Sequence, residues 1–265
     1  VHSVTTSDGV ELGLVESGPG PAPSGLPPLI LVHGGATAHQ SFDAVVPALA
    51  NGRRVVAYDR RGRGLSGDGT EPYRVRREVQ DLVEVAAAVG GGEPVDVFGS
   101  SYGGMIALLA LAAGHAESFR RVAVYEPPFD VPGMPAEGMD ERMITLVEDG
   151  RIDEGLRVFI TETFFLSDAV VDLMTQHPGW QVSRAAASTL RREYETISST
   201  PPPRSLPEGV PVRVLVGEHE GNPAFRDIAS RLPVDDVVYV GGLPHFAVPT
   251  DTDAVVTALL EFFGS

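Results

Sequence analysis

The 265-residue chain contains no cysteine, which excludes disulfides, thiolate metal ligands and a cysteine nucleophile. Lysine is absent as well, since all twenty basic residues are arginine. Neither a Schiff-base lysine nor the lysine of a phosphate-binding loop is therefore available. No run of about 18 apolar residues could span a bilayer. No charged stretch followed by an apolar one marks the beginning as a secretory signal, so a cytoplasmic protein is expected. Basic residues are also scarce relative to the 36 acidic ones, leaving a net charge of −16. That field repels phosphate backbones and anionic headgroups, which argues against nucleic acid or a membrane surface and leaves a small-molecule partner. Nothing in the pattern sets an oligomeric state.

What is present reads as an ordinary globular domain, with 43% hydrophobic and 21% charged residues. Alternation around Asp8-Gly9 predicts an opening β-hairpin. Short apolar runs bounded by turn residues follow at Leu29 to Val32, Val55 to Tyr58, Val95 to Phe98, Val122 to Tyr125, Val212 to Val216 and Val237 to Val240. Helical patterns separate most of them: Val75 to Val89, closed by Gly90 to Gly92, then Tyr102 to Ala113, Pro223 to Leu232 behind an Asn222 N-cap, and Ala254 to Phe263. Strands alternating with helices imply an α/β fold whose mainly parallel sheet is covered on both faces. One interval breaks the rhythm. Between Tyr125 and Val212 lie roughly 85 residues without a convincing strand, flanked by proline runs, which reads as a helical cap. The expected division is a core of residues 1–126 and 205–265 and a cap of residues 127–204.

Gly99-Ser100-Ser101-Tyr102-Gly103 follows one strand and opens a helix. The bare G-x-S-x-G pattern is weak in a glycine-rich chain, but the strand before and the helix after give it force. A turn this sharp holds the central serine in strained backbone, needs glycine on either side, and places the nucleophile at the positive end of a helix. Gly62-Arg63-Gly64-Leu65-Ser66-Gly67 mimics a dinucleotide fingerprint, yet no acidic residue closes a second strand about 20 residues on. No H-x-x-x-H or H-E-x-x-H spacing occurs either, so neither a cofactor nor a metal is expected. The Arg53-Arg54 and Arg76-Arg77 pairs read as solvated faces.

Taken together, the His33-Gly34-Gly35 loop after a strand, the Asp59-to-Ser66 segment, the Ser101 elbow and a late histidine resemble the α/β-hydrolase superfamily in its capped, serine-nucleophile form. The resemblance implies an eight-stranded, mostly parallel sheet with a helical cap insertion, oxyanion donors at the backbone N–H groups of Gly35 and Tyr102, and a structural rather than catalytic role for His33. It implies that His245, in Gly242-Leu243-Pro244-His245-Phe246, is the general base. For the acid it points to Glu220, three residues after Gly217, where the family more often has aspartate. Glu126, at the end of an earlier strand, is the alternative because some members place their acid there. Phe165, Trp180 and Phe246 are candidate substrate contacts. The implied activity is a serine hydrolase resembling a carboxylesterase, acting on a small ester or related acyl compound. A C–C bond hydrolase or lyase, a perhydrolase, or a non-hydrolytic ligand-binding member of the fold would carry the same residues.

Overall fold

The computed structural model describes residues 2–19, 25–133, 139–218, 223–250 and 252–264. Eight strands form one sheet: β1 (His2–Thr5), β2 (Glu11–Ser17), β3 (Leu29–Val32), β4 (Val55–Tyr58), β5 (Val95–Ser100), β6 (Phe119–Tyr125), β7 (Val212–Glu218) and β8 (Asp236–Gly241). Their order is β1-β2-β4-β3-β5-β6-β7-β8. The hairpin and the β2–β4 pairing are antiparallel, and every pairing from β4 to β8 is parallel. The chain leaves β3 for β4 on one side and returns to β5 on the other. The carboxyl ends of β3 and β5 therefore flank the point where the strand order reverses, the place in such sheets where a crevice opens for ligands.

The helices outside the β6–β7 interval are α1 (Val46–Leu49), α2 (Val75–Gly90) and α3 (Tyr102–Ala112). Between β6 and β7 lie α4 (Met139–Glu148), α5 (Ile152–Phe164), α6 (Asp168–Thr175), α7 (Gly179–Ala186) and α8 (Leu190–Ile197). After β7 come α9 (Ala224–Arg231), α10 (Ala247–Thr250) and α11 (Thr252–Phe263). The continuous apolar runs of the inner strands are explained by burial on both sheet faces. Ile30, Val32 and Val97 share one cluster with Leu82 of α2 and Ile106 of α3, while Leu29, Leu31 and Phe98 pack with Phe42 and with Leu259 of α11. Each such side chain, fully buried, is worth about 1.5–3 kcal/mol.

The β6–β7 interval is helical, and no strand occurs there among the described residues. Asn222, expected to cap α9, lies outside the described residues. One arginine expected on a solvated face is in the core: Arg53 is 2% exposed, and its guanidinium donates to Asp96 on β5 at 2.7 Å. Its aliphatic stem crosses apolar surface and its charge is paired, which the adjacent-arginine pattern did not disclose. No helix among the described residues is long and apolar enough to cross a membrane.

Candidate active site

The site is assembled from four loops at the carboxyl ends of β3, β5, β6 and β8. After β5 the chain turns at Ser101 with φ 51° and ψ −123°, and α3 begins at the next residue. Glycine is required on both sides. A Cβ on Gly99 would lie 2.6 Å from the Gly103 carbonyl oxygen, and one on Gly103 only 2.1 Å from that of Val32. The turn is held by the Ser101 N–H, which donates to the Tyr125 carbonyl at 2.8 Å. It presents the Ser101 hydroxyl above the amino end of α3, where first-turn N–H groups have no partner within the helix.

The loop after β8 brings His245 to this serine, with Nε2 3.0 Å from Ser101 Oγ. The other ring nitrogen, Nδ1, lies 2.6 Å from Oε2 of Glu126. Glu126 is the first residue beyond β6, held at φ 43° and 4% exposed. Its second oxygen, Oε1, accepts the Gly217 N–H at 2.9 Å. The two oxygens thus have one fixed donor each, an arrangement that keeps the proton on Nδ1 and leaves the Nε2 lone pair facing the hydroxyl. The Tyr125 hydroxyl donates to the Pro244 carbonyl at 2.7 Å, anchoring the histidine loop to β6.

Of the two expected acids, the described residues bring Glu126 to His245. An imidazole nitrogen makes one hydrogen bond in its plane, and Glu126 occupies it. Glu220 lies outside the described residues. The resemblance points to Glu220, while the carboxylate that the described residues place at His245 Nδ1 is that of Glu126, just beyond β6.

The imidazole is enclosed by aromatic rings on both faces. Phe164, the last residue of α5, stacks at 4.2 Å between centroids with planes 9° apart, and Phe225 of α9 stacks on the opposite face at 4.7 Å and 13°. Phe246 meets Phe164 edge-on at 4.8 Å. A cation over an aromatic face is attracted by the ring quadrupole, so both phenylalanines would favour an imidazolium at His245 over the neutral ring. Phe164→Leu keeps most of the volume and removes one π face. It is expected to lower kcat by roughly 5- to 30-fold, about 1–2 kcal/mol, in addition to any change in KM from the cavity wall that Phe164 also forms. Steady-state kinetics would check this, and an effect confined to KM would contradict it.

The loop after β3 runs alongside. A Cβ on Gly34 would sit 3.1 Å from the Ser101 Cβ, so the loop passes directly over Ser101. His33, fully buried, accepts the Arg60 N–H at Nε2 (3.0 Å), and its Nδ1 lies 3.0 Å from the Gly34 carbonyl oxygen. Burial, reinforced by the charges of Arg60 and Arg63, pushes its pKa well below the usual histidine value. A neutral ring donating on one side and accepting on the other ties the loop to the segment after β4. Asp59 serves that same segment, accepting the backbone N–H groups of His39 and Leu65 at 2.7 and 2.8 Å.

Two narrow adjoining cavities open from Ser101. One is bounded by Gly34, Thr37, Ser41, Phe246, Val248 and Pro249. The other is bounded by Gly35, Tyr102, Phe159, Leu190, Glu193 and Ile197. A larger polar cleft lined by Asp8, Arg61, Asp68 and Tyr73 holds none of Ser101, His245 and Glu126. Of the expected substrate contacts, Phe246 lines the first cavity. Phe165 does not line either: α5 ends at Phe164, and Phe165 leaves it through the left-handed region (φ 55°), 58% exposed on the outer surface. Trp180 is buried between helices, where its Nε1 donates to Asp153 at 2.8 Å, and it lines neither cavity. Phe159, Phe164, Glu193 and Phe225 were missed. The apolar Leu190, Tyr194 and Ile197, spaced along one face of α8 with a glutamate among them, were the available signal for Glu193. No group of three or more His, Cys, Asp or Glu is placed to hold a metal ion among the described residues.

Comparison with known proteins agrees with this architecture. Residues 29–258 match the model of the Alpha/beta hydrolase family. An alpha/beta hydrolase from Sphaerobacter thermophilus superimposes with a TM-score of 0.78 and 31% identity, covering 99% of this chain and 100% of that one. The 2-hydroxymuconate semialdehyde hydrolase of Pseudomonas sp. is 32% identical over 166 residues, 60% of this chain and 58% of that protein. The probable oxidoreductase EphD of Mycobacterium tuberculosis is 35% identical over 102 residues, 38% of this chain but only 17% of that much longer protein. An eight-stranded, mostly parallel sheet, helices on both faces and a family match across most of its length lead to one conclusion: the chain belongs to the alpha/beta hydrolase family.

Proposed function

We propose that the chain is a serine hydrolase that cleaves small esters or related acyl compounds through an acyl-enzyme, with Ser101 as nucleophile, His245 as base and Glu126 as the carboxylate that positions it. The observation carrying this reading is the unbroken contact chain from Ser101 Oγ to His245 Nε2 at 3.0 Å and from His245 Nδ1 to Glu126 at 2.6 Å. His245 takes the hydroxyl proton as Oγ attacks the carbonyl carbon. The backbone N–H groups of Gly35 and Tyr102 receive the oxyanion, each such donor typically being worth about 3 kcal/mol. The imidazolium then protonates the leaving alcohol, and a water activated by the same ring releases the acid. In this reading the helices between β6 and β7 form the cap that shapes the substrate cavity.

A second reading is favoured by the similarity to a 2-hydroxymuconate semialdehyde hydrolase. In that case the same residues act on a carbonyl compound other than an ester. Both readings need a reactive serine. Incubation with a fluorophosphonate should add one phosphonyl group, located by peptide mass spectrometry at Ser101, and wild-type protein left unmodified would sink both. A panel of short-chain esters separates them, since turnover of simple esters supports the first.

A further inference from the structure

Glu193 projects from α8 into the cavity beside Ser101 and is 1% exposed. Its Oε1 is fully engaged, accepting from Nη2 of Arg63 at 2.6 Å and lying 2.8 Å from Nη2 of Arg60. Its Oε2 is buried and has no hydrogen-bond partner. That oxygen points at the oxyanion loop, because a Cβ built on Gly35 would stand 3.0 Å from it. The walls around it are otherwise mostly apolar, including Phe159, Leu190 and Ile197. A buried carboxylate oxygen without a donor is costly, and native structures keep such groups chiefly where a ligand or water satisfies them.

We infer that Glu193 Oε2 is a specificity-determining acceptor for a hydroxyl group that the substrate carries close to its scissile carbonyl. This rests on the acyl-transfer reading above. The charges around Glu193 select the kind of donor. Arg60 and Arg63 are shared between Glu193 and Glu78, so two guanidinium groups face two carboxylates. A substrate ammonium would add an uncompensated positive charge to a buried, balanced set, whereas a neutral donor leaves the balance intact. The space selects further. Even one carbon on Gly35 would touch Oε2, so the donor must be compact, as a single hydroxyl oxygen is. Substrates lacking it leave the buried acceptor unpaired in the complex, which is how such sites discriminate.

The test compares butyl butyrate with butyl 2-hydroxybutyrate, butyl 3-hydroxybutyrate and the butyrate monoester of butane-1,2-diol, so that the hydroxyl is offered on either side of the carbonyl. Wild-type protein should turn over at least one hydroxylated ester with a kcat/KM tenfold or more above the parent. In Glu193→Gln the amide oxygen is held by Arg60 and Arg63 and the NH2 group faces the cavity, where it can only donate a neutral hydrogen bond to the hydroxyl; the charge-assisted bond is lost and the preference should fall at least threefold. Because each preference is a ratio within one protein, partial loss of folding in the variant does not mimic the result. Equal turnover of all four esters by the wild type, or a preference undiminished in Glu193→Gln, overturns the inference while leaving the hydrolase reading intact. If no ester is turned over, the acyl-transfer reading falls. Calorimetric binding of the same esters to Ser101→Ala then decides this inference separately, with tenfold tighter binding of a hydroxylated ester expected and equal binding overturning it.

Discussion

Glu126→Gln is expected to lower kcat by about 10³- to 10⁴-fold with little change in KM. The size follows from the two fixed donors on this carboxylate. The Gly217 N–H at 2.9 Å demands an acceptor, so the amide oxygen takes that place and the NH2 group is turned toward His245 Nδ1. An NH2 group donates, which forces the imidazole proton onto Nε2. In that tautomer Nε2 points a hydrogen at Ser101 Oγ and cannot accept one. Substrate still binds, because neither cavity is lined by Glu126. Nitrogen-15 NMR of the histidine ring should report the tautomer directly, proton on Nδ1 in the wild type and on Nε2 in the variant. Glu220→Gln should leave kcat within about threefold. A large loss in Glu220→Gln with a mild one in Glu126→Gln would restore the order that the sequence suggests.

The contact between Glu126 and His245 shows where sequence patterns carry information in this chain and where they do not. The elbow was legible because its chemistry is local: a strand, a turn that only glycine permits at Gly99 and Gly103, and a helix all occur within a few residues of Ser101. His245 was legible by its place after the last strand. The contact between His245 and Glu126 was not, since it depends on which strand end lies under the imidazole, and both β6 and β7 lead into glutamates. Distance across the sheet is a tertiary quantity, and no spacing along the chain encodes it.

The helical segment between β6 and β7 was legible in type but not in detail. Amphipathic periodicity gives away helices such as α5, yet which of two adjacent phenylalanines faces the site depends on where that helix stops. Phe164 is its last residue and stacks on His245, while Phe165 turns out to solvent. The arginines of the loop after β4 carry no local signal of their burial either. Arg60 and Arg63 sit in a glycine-rich loop, and both are buried because carboxylates from α2 and α8 come to meet them.

Those buried pairs lead to the largest expected effect on stability. Glu78 on α2 is 1% exposed and accepts from Arg60 Nε at 2.6 Å and from the Tyr73 hydroxyl at 2.8 Å. Arg60 in turn donates to the Gly34 carbonyl at 3.0 Å, and its guanidinium lies 4.4 Å over the Tyr102 ring. Glu78→Gln leaves two buried guanidinium groups facing one carboxylate, and should destabilise the fold by about 3–5 kcal/mol near neutral pH. This is a large share of the roughly 5–15 kcal/mol of a typical domain. Burial alone would raise the Glu78 carboxyl, but the charges of Arg60 and Arg63 outweigh it and hold its pKa well below the ordinary 4.5. A carboxylate depressed in the folded state contributes stability that is present above its unfolded value and is lost as pH falls toward the folded one. The difference between wild type and variant should therefore be full above about pH 5, and should shrink progressively as the solution is taken below 4.5. Urea unfolding across this range measures it, and a difference that stays constant into acid would mean that the ionised Glu78 carboxylate is not what stabilises the loop beneath Gly34 and Gly35.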